Sequence, residues 1–131
     1  MSYVVISSFE DVDTGDLQAE GESVAVFSAE AEAQAHFTRR AAKLADALRE
    51  ARTGDDRASF VTWLVLLRMP LEVADVEQAL EDLELVIEET GDVDDPFGEL
   101  VVRYEGWRHA PGGTAPLPQK DALEALEAWL T

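Results

Sequence analysis

The sequence predicts a small α/β or α+β domain, and three features of the chain support this prediction. Residues 3–9 and 23–27 are rich in β-branched and aromatic residues, which is typical of strands. Residues 59–71 are apolar at both odd and even positions, as in a strand covered on both faces. Further segments carry apolar residues at helical spacing. The predicted order of elements is ββαβαβα, with about four strands and three helices.

The first half of this order begins with a hairpin. The two N-terminal strands, Tyr3 to Phe9 and Ser23 to Phe27, are expected to pair across the acidic segment between them. A helix is predicted to follow, with Ser28 as its N-cap and its end near Arg52. Its apolar face would consist of Ala33, Phe37, Ala41, Leu44 and Leu48.

The most apolar segment of the chain lies in the middle of the sequence. Residues 59–69 are predicted to form the central strand of the sheet, and Pro70 is predicted to end it. A second helix is predicted from about Val73 to Glu89. Its buried stripe would consist of Val76, Leu80, Leu83 and Ile87.

The last elements are a strand, a loop and a helix. Residues 98–107 alternate between apolar and polar positions, which predicts a half-buried strand. The following segment, His109 to Pro118, is rich in proline and glycine and is interpreted as a loop. A short helix is predicted from about Lys120 to Leu130. So few residues follow the loop that we expect residues 1–131 to form one domain.

The chain is strongly acidic. Its formal net charge is −18, it has no cysteine, and only two of its ten basic residues are lysines. A surface this negative repels nucleic acid and anionic lipid, so direct binding to either is not expected. The sequence contains neither a membrane-spanning run nor a basic region before its first apolar segment, which predicts a soluble, cytoplasmic protein. A solvated acidic face and adaptation to high salt both remain explanations of the charge.

Two acidic segments raise the question of a metal. Residues 10–22 place Asp11, Asp13, Asp16 and Glu22 close to the spacing of a calcium-binding loop, but Gly15 and Asp16 stand in reversed order and the flanks are strand-like. Residues 89–99 carry further carboxylates, which would bind a hard cation weakly if the two segments met. No metal site and no cofactor are predicted.

Four residues near the end of the last predicted strand are candidates for binding a ligand: Tyr104, Trp107, Arg108 and His109. Strand alternation places Tyr104 and Trp107 on opposite faces. An enzyme would need a nucleophile such as Ser59 or Thr114 near His109, and the sequence has no Gly-x-Ser-x-Gly turn. No catalytic residue is therefore predicted.

The strongest candidate for a binding surface is the acidic segment from residue 71 to residue 99, which has twelve acids and no base. Its candidate partner-binding residues are Glu77, Glu81, Glu84, Glu88, Asp92, Asp94 and Asp95. The first helix carries a basic cluster that includes Arg39, Arg40 and Lys43. This cluster would either balance charge within the chain or contact the acidic helix of a second copy in a homodimer.

These observations favour a non-catalytic binding or regulatory module of unknown ligand. An alternative is an acidic inhibitor or immunity-type protein that masks the basic nucleic-acid-binding surface of a partner protein, its carboxylates replacing phosphates. A further alternative is a small enzyme with a site near residues 104–113.

Overall fold

The computed structural model describes residues 2–11, 17–18, 24–53, 59–90 and 96–130. Within these residues the strands are β1 (Ser2–Asp11), β2 (Leu17–Gln18), β3 (Val24–Phe27), β4 (Phe60–Met69), β5 (Val101–Ala110) and β6 (Gly113–Pro116). The helices are α1 (Glu30–Thr53), α2 (Val76–Thr90) and α3 (Gln119–Leu130). A single 3₁₀ turn, Gly98–Leu100, precedes β5.

All six strands belong to one antiparallel sheet. The order across the sheet is β2, β1, β4, β5, β6, and β3 pairs with β1 on the same edge as β2. β1 and β4 pair along their whole length, from Ser2 opposite Met69 to Asp11 opposite Phe60. The expected pairing of the two N-terminal strands is confirmed, since Tyr3 lies opposite Phe27.

Helices cover both faces of this sheet. On one face α1 packs through Ala33 and Phe37 against Val5, Leu64 and Leu66. On the other face α2 and α3 bury a larger cluster, of which Trp63 and Leu83 are central members. The structure is therefore an α+β fold with the sheet between two helical layers, and the predicted fold class is confirmed.

The central position of β4 explains its sequence. Eight of its ten residues are buried, and all of these except Thr62 are apolar. Because its neighbours β1 and β5 complete the ladder on both edges and helices cover both faces, apolar side chains are favoured at odd and even positions alike. The prediction that this strand lies in the middle of the sheet is confirmed.

The start of α2 is fixed by local hydrogen bonds. The Gln78 amide donates to the Asp75 carboxylate at 2.8 Å, as expected for an aspartate N-cap. Gln78 Oε1 accepts from the Ala74 amide at 3.1 Å, which satisfies a second backbone donor at this end. The helix therefore begins at Val76, three residues after the predicted start, because Asp75 caps it.

The predicted strands and helices occur in the predicted order, and the structure adds two short strands to them. The segment interpreted as a proline- and glycine-rich loop forms the end of β5 and all of β6, in a hairpin with Pro111 and Gly112 in the turn. Pro116 is tolerated because β6 is an edge strand and Pro116 lies at its end. β2 was also missed, since it is a two-residue strand beside an acidic segment. The strands therefore number six rather than about four.

Candidate functional site

β5 does not bring the four candidate ligand-binding residues together. The ladder with β4 places Tyr104 opposite Val65 and Arg108 opposite Val61, on the face covered by α2 and α3. Trp107 and His109 project from the other face, on the side of α1. The opposite orientation of Tyr104 and Trp107 agrees with the alternation in the sequence, and these four residues do not line a common pocket.

The side chain of Tyr104 contacts the backbone just after β6. Its hydroxyl donates a hydrogen bond of 2.6 Å to the carbonyl of Leu117, while the Leu117 amide donates to the carbonyl of Gly106 at 3.0 Å. The ring lies across Gly106, where a Cβ would stand 2.8 Å from Tyr104 Cζ. Burial, reinforced by the negative charge of Asp121, raises the pKa of Tyr104 to about 12.

His109, another of the four candidates, is buried. Its side chain is 6% exposed, and its ring centroid lies 5.1 Å from that of Phe60. Its Nδ1 lies 2.8 Å from Thr114 Oγ1, so the structure places a hydroxyl beside this imidazole. A substrate would have little access to so buried a ring, and we assign this contact to fastening β6 onto β5.

Trp107 and Glu105 form a local pair on the α1 side of β5. The indole Nε1 donates to Glu105 Oε1 at 3.2 Å. Both side chains are partly buried. This pair satisfies the polar atom of the tryptophan, as is usual for an indole next to a core.

α2 presents a line of carboxylates to solvent, which we call the acidic stripe: Glu77, Glu81, Glu84 and Glu88. All four side chains are exposed. Their spacing of i, i+4, i+7 and i+11 keeps them on one face of the helix. Among residues 2–11, 17–18, 24–53, 59–90 and 96–130, none of them forms an ion pair with a base. The other candidate partner-binding residues, Asp92, Asp94 and Asp95, lie outside the described residues.

α1 carries a basic surface on the side of β3, which we call the basic flank: His36, Arg39, Arg40 and Lys43. The ring of His36 lies 5.0 Å from that of Phe27 in β3, and Arg40 donates to Ser7 Oγ of β1 at 2.8 Å. Arg39 and Lys43 are exposed. Partial burial, together with Arg40, Arg39 and Lys43, lowers the pKa of His36 below its usual value of 6.5.

The opposite side of α1 is fixed to β5 by an arginine. The Arg103 guanidinium lies 4.4 Å from the centre of the Phe37 ring, a cation–π contact. It also donates to Thr38 Oγ1 at 3.0 Å and approaches Gln34 Oε1 at 3.4 Å. These contacts orient α1 so that the basic flank lies beside the β3 edge.

A cavity of about 430 Å³ opens where β1 begins and α2 begins. It is lined by Ser2, Ser28, Glu72, Val73, Ala74 and Gln78. The buried hydroxyl of Ser2 accepts a hydrogen bond of 2.8 Å from the Val73 amide, and both polar groups of the Gln78 side chain bond to the backbone before α2. The cavity therefore offers few uncommitted polar groups for a ligand.

The described residues contain no group of three or more histidines and carboxylates arranged to hold a metal ion. Most of residues 10–22 and of the carboxylates in residues 89–99 lie outside this part of the structure, so the weak cation-binding idea stays a prediction. Among the described helices, none is long and apolar enough to cross a membrane.

No known family, curated protein or solved structure matches this chain, so the functional argument depends on its own residues. The sequence analysis named Thr114 as a possible neighbour of His109, but it missed the burial of His109 and the β5–β6 hairpin that brings the two residues together. The signal was present in the spacing, because a two-residue turn at Pro111 and Gly112 brings residues 109 and 114 opposite each other.

Proposed function

We propose that this protein is a non-catalytic binding module that contacts a basic protein surface through the acidic stripe of α2. The supporting observation is a line of four exposed carboxylates without a cationic partner in the described part of the chain. A like-charged row destabilises a helix slightly, so a partner that neutralises it gains that energy on binding. The cytoplasmic location expected from the sequence belongs to the same proposal.

The position of the stripe suits docking. The inner face of α2 is held by the core, with Ala79 and Leu83 at 0% exposure. The stripe is therefore presented on a helix whose backbone is fixed by packing, and a partner would not have to order it on binding. Preorganised charge of this kind mainly accelerates association and excludes partners of the wrong sign.

A second candidate function is the masking of a nucleic-acid-binding surface on a partner protein. α2 is about 22 Å long and carries six carboxylates, or one for every 3.7 Å or so of its axis. One strand of B-DNA presents a phosphate about every 3.4 Å. Counted around the whole helix, the linear charge density of α2 is thus close to that of one nucleic-acid strand, which supports an inhibitor or immunity-type role as the second candidate.

The test compares two variants that change the net charge equally. In the first, Glu81 and Glu84 in the middle of the stripe become glutamine. In the second, Glu30 and Glu32, exposed in the first turn of α1 on the other side of the sheet, become glutamine. Each variant and the unchanged protein are immobilised and used to capture proteins from the lysate of the source organism.

We expect a basic protein to be captured by the unchanged protein and by E30Q/E32Q, and its affinity for E81Q/E84Q to fall about tenfold or more. If a DNA duplex competes for that protein, the masking function is supported over the general one. Equal capture by all three proteins, or capture of nothing, would contradict both candidates and would favour a solvated acidic face.

A further inference from the structure

We propose that two copies of this chain associate across the outer edge of β3, with the basic flank of α1 in each copy contacting α2 of the other. Among the described residues, no strand pairs with the outer edge of β3. β3 lies between the two helical layers: His36 of α1 contacts Phe27 on one face, and Val26 packs with the α2 and α3 cluster on the other. The surfaces of both helices therefore border one sheet edge.

We infer the side of α2 toward this edge from Gln78, which lines one cavity with Ser28, the residue after β3, and with Ser2 at the start of β1. Asp82, Leu85 and Glu89 follow Gln78 at i+4, i+7 and i+11 and so continue the same side of the helix. We call these three residues the edge flank. It carries two acids and a leucine that is 49% exposed, and it is distinct from the acidic stripe.

The charges of the basic flank and the edge flank determine which surfaces of two copies can be in contact. α1 and α2 lie on opposite faces of the sheet, so the basic flank and the edge flank are separated within one chain by the sheet itself. In the described residues, Arg39, Lys43, Asp82 and Glu89 form no ion pair with one another or with other residues. Both flanks are therefore available for a second copy.

Two symmetric arrangements place β3 beside β3 of the second copy. A twofold axis perpendicular to the sheet brings α1 beside α1 and α2 beside α2, which opposes like charges. A twofold axis parallel to β3 exchanges the two faces, so that each α1 lies beside α2 of the other copy and the contact is made by side chains rather than by a backbone ladder. The second arrangement makes the same basic-to-acidic contact twice and closes as a dimer. Leu85 would be covered by the other copy in this arrangement.

The net charge of −18 opposes association at long range. At about 150 mM salt the Debye length is about 8 Å, so distant charges are screened while groups in contact still attract. We therefore expect a dimer at about 150 mM NaCl and a monomer at about 1 M NaCl. The measurement is light scattering on the eluting protein over a range of concentrations, with 14.4 kDa for the monomer and twice that mass for the dimer.

Two charge-reversal variants test the contact itself. R39E/K43E makes the basic flank acidic, and D82K/E89K makes the edge flank basic. Each variant alone opposes like charges at both contacts, so each is expected to be a monomer. In an equimolar mixture, every contact again joins opposite charges, and we expect a heterodimer. Circular dichroism and thermal melting of each variant check that the fold is retained.

The proposal is overturned if the unchanged protein is a monomer at every concentration at about 150 mM NaCl. It is also overturned if the variants stay dimeric, or if the mixture of folded variants does not associate. The outcome is separate from that of the acidic stripe, because R39E/K43E leaves all four of its glutamates in place. Partner capture by this variant would support the binding function even if the dimer proposal failed.

Discussion

Replacement of Gly106 by alanine provides the sharpest test of the packing at the β5–β6 hairpin. A Cβ at this position would overlap the Tyr104 hydroxyl and would stand 2.8 Å from Cζ of the same ring. The ring must therefore move away, which breaks its 2.6 Å hydrogen bond to the Leu117 carbonyl. Loss of this bond costs about 1 kcal/mol, and crowding in a packed site costs about 1–3 kcal/mol.

These costs sum to about 2–4 kcal/mol, and the restriction that alanine places on the unfolded chain offsets about 0.5–1 kcal/mol, so we expect Gly106→Ala to lower the free energy of unfolding by about 1–3.5 kcal/mol. The assay is urea unfolding followed by circular dichroism at low protein concentration, so that association does not contribute. The control is the same substitution in a Tyr104→Ala background, where the ring is absent.

In that background the Leu117 Cβ, 3.3 Å from the new methyl group, is the closest of the remaining neighbours. Alanine also restricts the unfolded chain more than glycine does, which offsets about 0.5–1 kcal/mol. We therefore expect Gly106→Ala to leave the free energy of unfolding nearly unchanged in the Tyr104→Ala background. An equal cost in both backgrounds would refute the idea that the Tyr104 ring is what requires glycine here.

Three further predictions concern stability. The pKa of Tyr104 is about 12 in the folded protein against 10 in the unfolded chain, so stability should fall as the pH rises from 10 to 12, and Tyr104→Phe should remove this fall in urea midpoints measured against pH. Thr114→Val leaves Nδ1 of the buried His109 without its hydroxyl partner and should cost about 1–2 kcal/mol in urea unfolding, whereas Thr114→Ser should cost less. Leu83→Ala, at 0% exposure, should cost about 3 kcal/mol in the same assay, and Leu71→Ala, at 66% exposure, should cost less than about 0.5 kcal/mol.

The sequence was informative where one pattern controlled one element. The apolar spacing from Ala33 to Leu48 predicted α1, and residues of this pattern pack on the sheet. The apolar residues at both odd and even positions of β4 predicted a central strand, because a strand covered on both faces buries both of its sides. Both patterns reflect burial, because the positions of apolar residues in a segment show which of its sides face the core.

Prediction failed where pairing, rather than burial, determined the structure. β6 is mostly exposed and contains a proline, so its composition is that of a loop, and only its register with β5 makes it a strand. The same register buries His109 beside Thr114. Cross-strand partners depend on the exact turn length, and a shift of β6 by one residue against β5 would have placed Thr114 on the other face, away from this imidazole.

The charged surfaces of the two helices could also be predicted only in part. The exposure of Glu77, Glu81, Glu84 and Glu88 could be predicted because helical spacing alone places them away from the apolar stripe. The separation of the basic flank from α2 could not, since it depends on which face of the sheet each helix covers. Because the sheet separates the basic flank from α2 within one chain, the two cannot neutralise each other by direct contact there. A contact with a second copy follows as the proposal.

The long register of β1 with β4 has a consequence for how the chain acquires its structure. The paired residues are far apart in the sequence: Ser2 and Met69 are 67 positions apart, and Asp11 and Phe60 are still 49 positions apart. Contacts of such high contact order form slowly, on a scale of milliseconds to seconds. During synthesis at about 5–20 residues per second, the apolar β1 segment leaves the ribosome several seconds before β4 is complete. In that interval β2 and β3 are the strands able to pair with β1, and both do so on the same edge, so the other edge of β1 stays unpaired until β4 emerges.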